Sequence, residues 1–254
     1  MNIVSFSGGK DSSAMLLRLL ELGSTVDKIV FADSGYEFPE VYEYLARMEK
    51  HIDRKIEFIY SKQSFDHWRK GKITRGKLKG KIRGFPMVVN PCYWSRESKV
   101  QPLERALKEA DEVYIGIAYD EKHRCSIRDN NLRYPLVEWK WTEQDCVDYL
   151  NEKGMLNPIY VNFKRTGCWL CPKQNKGSLY VLWKQYPDLW SRLKELEKEN
   201  FEDTGRYIFK NQQMSVLEEE FKNGPPKTAF TGYKCSEGCE GVKWAFLDKQ
   251  KKNE

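Results

Sequence analysis

The sequence lacks the features that define several large classes of protein. No apolar stretch approaches the ~18 residues of a membrane-spanning helix, so we expect no transmembrane segment. The opening residues MNIVSFSGGKDSS contain no basic segment followed by a long apolar core, so we expect no secretory signal and a cytoplasmic location. There are only three histidines, and none falls at a metal-ligand spacing: His51, His67 and His123.

What is present indicates a folded protein with thiol chemistry. The chain has 254 residues, of which 40% are hydrophobic and 31% charged. This composition allows a sizeable core and excludes global disorder. Seven cysteines in a reducing compartment favour metal or redox chemistry over disulfide bonds.

The net charge of +6 is concentrated in one place. Residues 62–83, which we call the basic segment, hold nine Lys or Arg and one acid, for a local charge of +8. Three glycines interrupt it, so a long helix is not expected. Two interpretations remain open. The segment is either a solvated mobile loop or a flap that closes on a polyanion, which would be nucleotide phosphates or a nucleic-acid backbone.

The remaining pattern predicts an α/β fold. Apolar runs predict strands over residues 2–6, 28–33, 55–60 and 112–119. Helical patterns separate them, over residues 14–23, 39–52, 99–110 and 143–154, and two further helices are expected over 178–199 and 206–222. Alternating strands and helices favour a Rossmann-like, doubly wound parallel sheet with helices on both faces. We expect this domain over residues 1–160, with a flexible basic loop at 62–91. A helical, cysteine-bearing region would follow over 161–254.

A candidate phosphate-binding loop follows the first strand. It consists of six consecutive residues, which we call the phosphate loop: Ser7, Gly8, Gly9, Lys10, Asp11 and Ser12. The spacing differs from the Walker motif. Two glycines allow a sharp turn and close approach of a ligand, the following helix N-terminus favours an anion, and Lys10 adds a positive charge. Asp11 would cap the helix or help hold a cation. The alternative is an ordinary strand-to-helix turn.

The motif SGGKDS resembles the signature of the PP-loop ATP pyrophosphatase superfamily. Further stretches resemble its phosphoadenosine phosphosulfate (PAPS) reductase-like branch: FADSGYEFPEVYEYL (31–45), SKVQPLERAL (98–107), YIGIAYDEKHR (114–124) and YPLVEWKWTEQDCVDYL (134–150). The resemblance implies an adenine-nucleotide-binding fold and an enzyme that cleaves ATP to AMP and pyrophosphate while it adenylates a substrate.

The sequence differs from the reductases of this branch at three motifs, and these differences bear on which nucleotide and which reaction we expect. The phosphate loop is intact here, whereas dedicated sulfonucleotide reductases have lost that form, so ATP is favoured. The tail reads KCSEGCEG and lacks the terminal Glu-Cys-Gly-Leu/Ile-His motif of PAPS reductases. Only Cys92 stands where adenosine phosphosulfate (APS) reductases have adjacent cysteines. The chain is therefore more similar to ATP-using sulfurtransferases, such as the family that acts in DNA phosphorothioation.

Polar residues follow the second and fourth predicted strands, at the edge where doubly wound sheets bind ligands. Asp33, with Ser34 and Gly35, would contact the ribose or adenine, although Asp33 also suits a simple turn. Asp120 or Glu121 would hold Mg²⁺ on the ATP phosphates, since Mg²⁺ prefers hard oxygen ligands. The predicted catalytic set is Lys10, Asp11, Lys99 and Arg124, of which Lys99 and Arg124 would neutralise departing pyrophosphate. A solvated charged loop is the alternative for residues 120–124.

The cysteines suggest a metal site. Cys168 and Cys171 form a Cys-x-x-Cys followed by proline, a pattern common beside iron–sulfur clusters. Cys92 is the predicted third ligand, which the resemblance supports. Cys235 or Cys239 would supply the fourth, with Cys125 as an alternative. Cys146 lies in a predicted amphipathic helix and is expected to be a buried apolar residue. An iron–sulfur cluster, structural zinc and a metal-free dithiol that carries persulfide all remain open.

Together these features predict ATP-dependent activation of an acceptor oxygen, followed by sulfur or amine transfer. Sulfur transfer is favoured, with a nucleic acid or nucleobase as a plausible acceptor through the basic segment and a sulfur-donor protein as a further partner. A PAPS or APS reductase and a non-catalytic nucleotide- or nucleic-acid-binding module are the alternatives.

Overall fold

The computed structural model describes residues 1–86, 91–126, 131–209, 212–227 and 230. Its centre is a five-stranded sheet, in which every pairing is parallel, with the order β3-β2-β1-β4-β5. The strands are β1 (Asn2–Phe6), β2 (Lys28–Asp33), β3 (Glu57–Tyr60), β4 (Glu112–Ile115) and β5 (Leu132–Arg133). The predicted α/β class is confirmed, and the short strand β5 is an addition to the four expected strands.

Helices connect and cover the strands. They are α1 (Lys10–Glu21), α2 (Pro39–Ile52), α3 (Phe65–Lys70), α4 (Tyr93–Ser95), α5 (Gln101–Ala106), α6 (Pro135–Glu138), α7 (Glu143–Glu152), α8 (Lys176–Gln185), α9 (Pro187–Thr204) and α10 (Met214–Lys222). A π-helical turn, Arg96–Val100, joins α4 to α5, and 3₁₀ turns cover Tyr119–Arg124 and Pro158–Val161.

The sheet is buried because its strands are apolar on both faces. Ile3, Val4 and Val113 have no exposed surface, and Ile29 and Val30 are nearly as buried. Continuous apolar strands of this kind are typical of parallel sheets covered by helices on both sides. The same hydrophobic cluster extends into α8, α9 and α10, so the C-terminal helices pack on the core of the sheet region.

Three element boundaries differ from the sequence prediction for local reasons. The helix expected over 178–199 is broken between α8 and α9, because Pro187 lacks an N–H and holds Tyr186 in a non-helical conformation (φ −129°, ψ 63°). The helix expected over 206–222 begins only at Met214. The fourth strand ends at Ile115 rather than 119, and the helix expected at 99–110 is part of a longer helical stretch over 93–106.

The strand order determines where a ligand can bind. The chain winds from β1 outward to β3 on one side, then returns to β4 and β5 on the other. The switch between the two directions lies between β1 and β4, and their carboxyl ends open a crevice there. The phosphate loop follows β1 at this point. Within the described residues, no helix is both long and apolar enough to cross a bilayer.

Candidate functional site

The phosphate loop has a defined geometry at the switch point. Gly8 takes a left-handed conformation with φ +68°, which favours glycine. The hydroxyls of Ser7 and Ser12 lie 2.9 Å apart and close the loop. The side chain of Asn157 donates to the carbonyl oxygen of Gly8 at 2.9 Å, and this asparagine is fully buried. The loop is thus held from a segment about 150 residues away in the chain.

The position of Gly9 is a polar cradle that a side chain would fill. A Cβ atom there would lie 3.2 Å from each of three oxygens, those of Ser7, Tyr160 and Thr166. The Tyr160 hydroxyl also accepts a hydrogen bond from the N–H of Lys10 at 2.8 Å. Thr166 precedes the Cys-x-x-Cys, so the cysteine-bearing loop lies directly against the phosphate loop.

A buried charge cluster begins at Lys10. Its side chain is 3% exposed, and Nζ lies 2.5 Å from Glu143 and 3.2 Å from Asp11. Oxygens of Asp11, Glu121 and Glu143 all lie within 4.8 Å of one another, close enough to hold a metal ion. Asp11 Oδ1 is buried without a hydrogen-bond partner. Burial raises the pKa of Asp11 to about 6, against the opposing effect of Lys10. The arrangement fits a divalent cation, which would satisfy the orphaned oxygen.

Glu143 is a site residue that sequence reasoning missed. Its backbone N–H donates to Asp120 Oδ1 at 3.2 Å, so Asp120 holds the beginning of α7 while Glu143 joins the carboxylates. Thr142 and Asp145 form the predicted capping box at the same helix end. Arg124 pairs with Glu121 and is 55% exposed. The sequence offered one signal for Glu143: it lies in the acidic first turn of a helix that is capped by Thr142.

The residues that follow β2 form a second polar cluster. Asp33 is 9% exposed and accepts hydrogen bonds from the N–H of Gly35 (2.7 Å) and the hydroxyl of Tyr42 (2.9 Å). These bonds hold a turn in which Gly35 has φ +72°. The contacts of Asp33 are therefore those of a turn-forming residue, which was one of the two predicted interpretations. A contact of Asp33 with ribose or adenine remains a prediction.

Glu37 connects this turn to Lys99 and to the cysteines. Its carboxylate is 2% exposed and accepts from Lys99 Nζ at 2.7 Å and from the Ser34 hydroxyl at 2.9 Å. Burial acts to lower the pKa of Lys99, but the nearby Glu37 and Cys168 outweigh it and raise that pKa. Lys99 lies in the π-helical turn, a feature often found at functional sites. Glu37 is a second residue that the sequence interpretation assigned no role.

The Cys-x-x-Cys loop is fastened to the same turn. Cys168 and Glu37 form an antiparallel backbone bridge, and the Trp169 N–H donates to the Tyr36 carbonyl oxygen at 2.9 Å. The Cys168 thiol donates to the Ser34 hydroxyl at 3.2 Å. Burial, with Glu37 nearby, raises the pKa of Cys168 to about 12, and burial also raises the pKa of Cys171.

Three of the predicted ligands meet in one cleft of about 950 Å³. Cys92, Cys168 and Cys171 line it together with Glu121 and Glu143. In the described part of the chain, the three sulfur atoms are not all within 4.8 Å of one another. Cys235 and Cys239 lie outside the described residues. Cys125 is not among the described residues that line the cleft, and Cys146 is fully buried in α7, as predicted.

The basic segment, residues 62–83, includes a short helix and a hairpin. It contains α3 and a short hairpin in which Lys72 pairs with Ile82. Arg69 is 3% exposed and pairs with Asp66 and Glu199. Its guanidinium is therefore not available to an external polyanion.

A glycine-rich loop at the switch point of a doubly wound parallel sheet is typical of nucleotide-binding α/β proteins. Comparison with known families makes this assignment specific. The family described as "Phosphoadenosine phosphosulfate reductase domain" matches residues 1–174. The chain belongs to this family, and the resemblance to the PP-loop superfamily is confirmed.

The curated relatives are distant. An uncharacterised protein of Methanocaldococcus jannaschii is 26% identical over 214 residues, which cover 78% of this chain and 41% of the relative. A phosphoadenosine 5'-phosphosulfate reductase of Aliivibrio salmonicida is 24% identical over 164 residues, 60% of this chain and 59% of the relative. The chain thus spans about half the length of the curated relatives that it first matches.

Solved structures give weaker similarities. A PAPS reductase from Candida auris aligns with TM-score 0.47 and 16% identity, over 66% of this chain and 82% of the other. A U34-tRNA thiolase from Methanococcus maripaludis, solved with a [4Fe-4S] cluster, aligns with TM-score 0.41 and 12% identity, over 90% and 83%.

Proposed function

We propose that this protein is an enzyme that binds ATP, adenylates an acceptor with release of pyrophosphate, and transfers sulfur to the activated position. One observation carries the proposal. The intact phosphate loop and the cysteine-bearing loop are in contact at Gly9 and Thr166, and carboxylates and thiols line one cleft. Activation by ATP and attack by sulfur need such proximity, because the activated intermediate must meet the sulfur before it meets water.

In this proposal the phosphate loop and its neighbours bind the nucleotide. Ser7, Gly8, Gly9 and Ser12 surround the phosphates, while Asp33, Ser34 and Gly35 lie at the nucleoside side. Lys10 and Lys99 balance the charge of the departing pyrophosphate, which lowers the barrier by electrostatic stabilisation. Arg124 would join them only after it leaves Glu121, with which it is paired in this structure.

The carboxylate cluster supports a Mg²⁺ ion with the nucleotide. Asp11, Glu121 and Glu143 offer oxygens within 4.8 Å, and the unpartnered Oδ1 of Asp11 is a ready ligand. A bound Mg²⁺ would neutralise phosphate charge. Asp120, first considered as a ligand, instead keeps Glu143 in place through the N–H of that residue.

The Cys-x-x-Cys followed by proline favours an iron–sulfur cluster over zinc, because this pattern is common beside such clusters. Cys92, Cys168 and Cys171 line the cleft and offer three thiols, one fewer than a closed four-thiolate zinc site needs. When bound, such a cluster would supply an iron at which sulfur can be held. The chain's own contribution is the fastening of Cys168 to Ser34 and Glu37.

The first experiment follows the fate of the nucleotide. The protein, purified anaerobically, is incubated with α-³²P-ATP, Mg²⁺, sulfide as the sulfur source and cell-extract fractions as acceptors. AMP and pyrophosphate are measured together with the visible spectrum and metal content. AMP with stoichiometric pyrophosphate, and absorbance near ~400 nm with bound iron, are the expected results. ADP formation, or no turnover of ATP with any acceptor fraction, would contradict the proposal.

A second candidate is reduction of a sulfonucleotide. The names of several relatives, which are phosphoadenosine 5'-phosphosulfate reductases, favour it. Incubation with PAPS and reduced thioredoxin separates the two candidates. Release of sulfite would support the reductase, whereas inert PAPS together with AMP formation from ATP would support adenylation.

A further inference from the structure

The basic segment divides into two sets of cations with different surroundings. One set is held inside the fold. Arg69 pairs with Asp66 and Glu199, and the Arg83 guanidinium lies 5.3 Å from the ring centroids of both Trp68 and Tyr93. The other set belongs to residues 71–83, which we call the basic hairpin. Its exposed cations are Lys72, Arg75, Lys77, Lys79 and Lys81.

The basic hairpin is a structured element with a fixed base. The N–H of Ile73 donates to the Lys81 carbonyl oxygen at 2.9 Å, and that of Gly80 to the Ile73 carbonyl oxygen at 2.8 Å. At the base, the Arg83 N–H donates to the Gly71 carbonyl oxygen at 2.9 Å. Arg206 donates to the Arg83 carbonyl oxygen at 2.8 Å. These contacts with the end of α9 do not suit a flap that swings onto the phosphate loop.

Among the described residues, none of the five hairpin cations forms an ion pair, and the one acid of the basic segment, Asp66, is used by Arg69. Some exposed cations elsewhere do form such pairs, as Lys28 does with Glu57 and Lys176 with Glu220. Unpaired like charges on one short hairpin repel each other, and an external polyanion would relieve that repulsion.

The hairpin base is tied to a residue next to the wall of the cleft. The Tyr93 hydroxyl donates to the Gly84 carbonyl oxygen at 2.6 Å, so the residue after Cys92 contacts the residue after the hairpin. Further exposed cations line the cleft itself: Arg96, Arg165 and Lys173. Exposed cations therefore occur both on the hairpin and in the lining of the cleft that holds the three thiols.

We infer that the acceptor is a nucleic acid, whose phosphate backbone binds the basic hairpin while one nucleotide unit enters the cleft. This inference rests on the proposed function, since it names the acceptor of the same site. A nucleic acid combines a regular line of negative charge with bases that can be turned out into a pocket. The cleft of about 950 Å³ lies near the upper end of the usual range for small-molecule sites.

The test measures binding without catalysis. Two fluorescein-labelled probes of the same mixed sequence are used: a single-stranded 24-nucleotide RNA and a 24-base-pair DNA duplex. Binding of each probe is followed by fluorescence anisotropy from about 50 to 400 mM KCl. The two probes distinguish a single strand from a duplex. Labelled polyglutamate of similar charge represents an acidic protein.

The variant K77Q/K79Q removes two hairpin cations, and K50Q/K108Q is the matched control. Lys50 and Lys108 are exposed and precede β3 and β4, so they lie toward the amino edge of the sheet, opposite the site. With about 0.7 counter-ion released per contact, the hairpin variant should bind the RNA about 25-fold more weakly near 0.1 M salt. The slope of log K against log salt should fall by about 1.4. The control should change either quantity by much less.

Three outcomes would overturn the inference: equal losses in both variants, polyglutamate binding as tight as that of both nucleic acids, or no salt-dependent binding to either nucleic acid. AMP formation from ATP is measured in parallel on the same preparations. No nucleic-acid binding by a wild-type protein that forms AMP would reject only the acceptor, whereas absent AMP formation in the wild type would reject the proposed function. Thermal melting of each variant confirms that it is folded.

Discussion

Burial raises the pKa at both ends of the site, but it leaves one end charged and the other neutral. At the carboxylate end, burial raises the pKa of Asp11 to about 6, so this group is mainly ionised at neutral pH and lies beside Lys10. At the thiol end, burial and Glu37 raise the pKa of Cys168 to about 12, so the thiol keeps its proton. One physical cause thus leaves a charged end and a neutral end.

This difference indicates a division of chemistry. The charged end suits a hard cation and phosphate oxygens, and its Lys10 limits the repulsion among the carboxylates. The neutral end suits a soft ligand that displaces the thiol proton when it binds. If the division is real, substitutions at one end should leave the chemistry of the other largely intact.

The largest expected effect is at the thiol end. Cys168→Ser should abolish sulfur transfer and reduce bound iron to less than half, because serine is a poor ligand for a soft metal. Release of pyrophosphate in a single adenylation turnover should stay within about threefold of the wild type, because its groups lie at the other end. AMP release should fall with sulfur transfer, because AMP leaves only when sulfur displaces it. Metal analysis measures the iron, and the ATP assay follows pyrophosphate and AMP separately. Cys125→Ser, outside the set of described cleft residues, is the control and should change neither.

The next effect is at the carboxylate end. Lys10→Gln should lower the rate of AMP formation by about 10²–10³-fold, since a buried charge aimed at the phosphates is lost. Bound iron should be unchanged. Lys50→Gln makes the same substitution toward the opposite edge of the sheet and should have no effect. If Lys10→Gln also removed the iron, the two ends would have to be regarded as one unit.

A glycine packed against the phosphate loop should affect stability. Gly116 follows β4, and a Cβ there would lie 2.6 Å from Ser12 Cα and 2.7 Å from its backbone nitrogen. Gly116→Ala should therefore lower the free energy of unfolding by about 2–3 kcal/mol, measured by urea denaturation. Gly9→Ala is the comparison. Its nearest neighbours are side-chain oxygens at 3.2 Å, so stability should change by less than about 1 kcal/mol while ATP affinity falls.

The smallest effect is a pH dependence at Asp11. The folded protein holds this proton more tightly than the unfolded chain, because the pKa rises from 3.8 to about 6. The wild type therefore loses stability as pH rises from about 4 through 6, whereas Asp11→Asn does not. The variant should be about 1–2 kcal/mol more stable than the wild type at pH 7.5, with little difference at pH 4. A gain that is equal at both pH values would contradict the assigned pKa.

Much of the fold was predictable because its signals are local. Strands β1 and β2 have the predicted bounds, and α2 begins at Pro39 as expected. The break at Pro187 was also readable, since proline restricts the residue before it, but the apolar pattern continued through it and concealed the break.

The candidate site was predictable only in part. Motifs in which adjacent residues act together, such as the phosphate loop and Cys168-x-x-Cys171, are visible without a structure. The partners of those motifs are not. Glu143 reaches Lys10 across 133 positions of sequence, and Lys99 reaches Glu37 across 62. Nothing in the local sequence of Glu143 or Glu37 distinguishes them from other acids in helix first turns or loops.

The sequence by itself determined strands β1 and β2, the beginning of α2, the phosphate loop and the cysteine pair, because each depends on residues that are neighbours in the chain. Only the tertiary structure decided which carboxylates gather at Lys10, that Cys168 lies against Ser34, and which cations of the basic segment are exposed. Those relations depend on how α7, α9 and the cysteine-bearing loop pack on the sheet. Burial there sets both the partners of each charged group and the direction of its pKa shift.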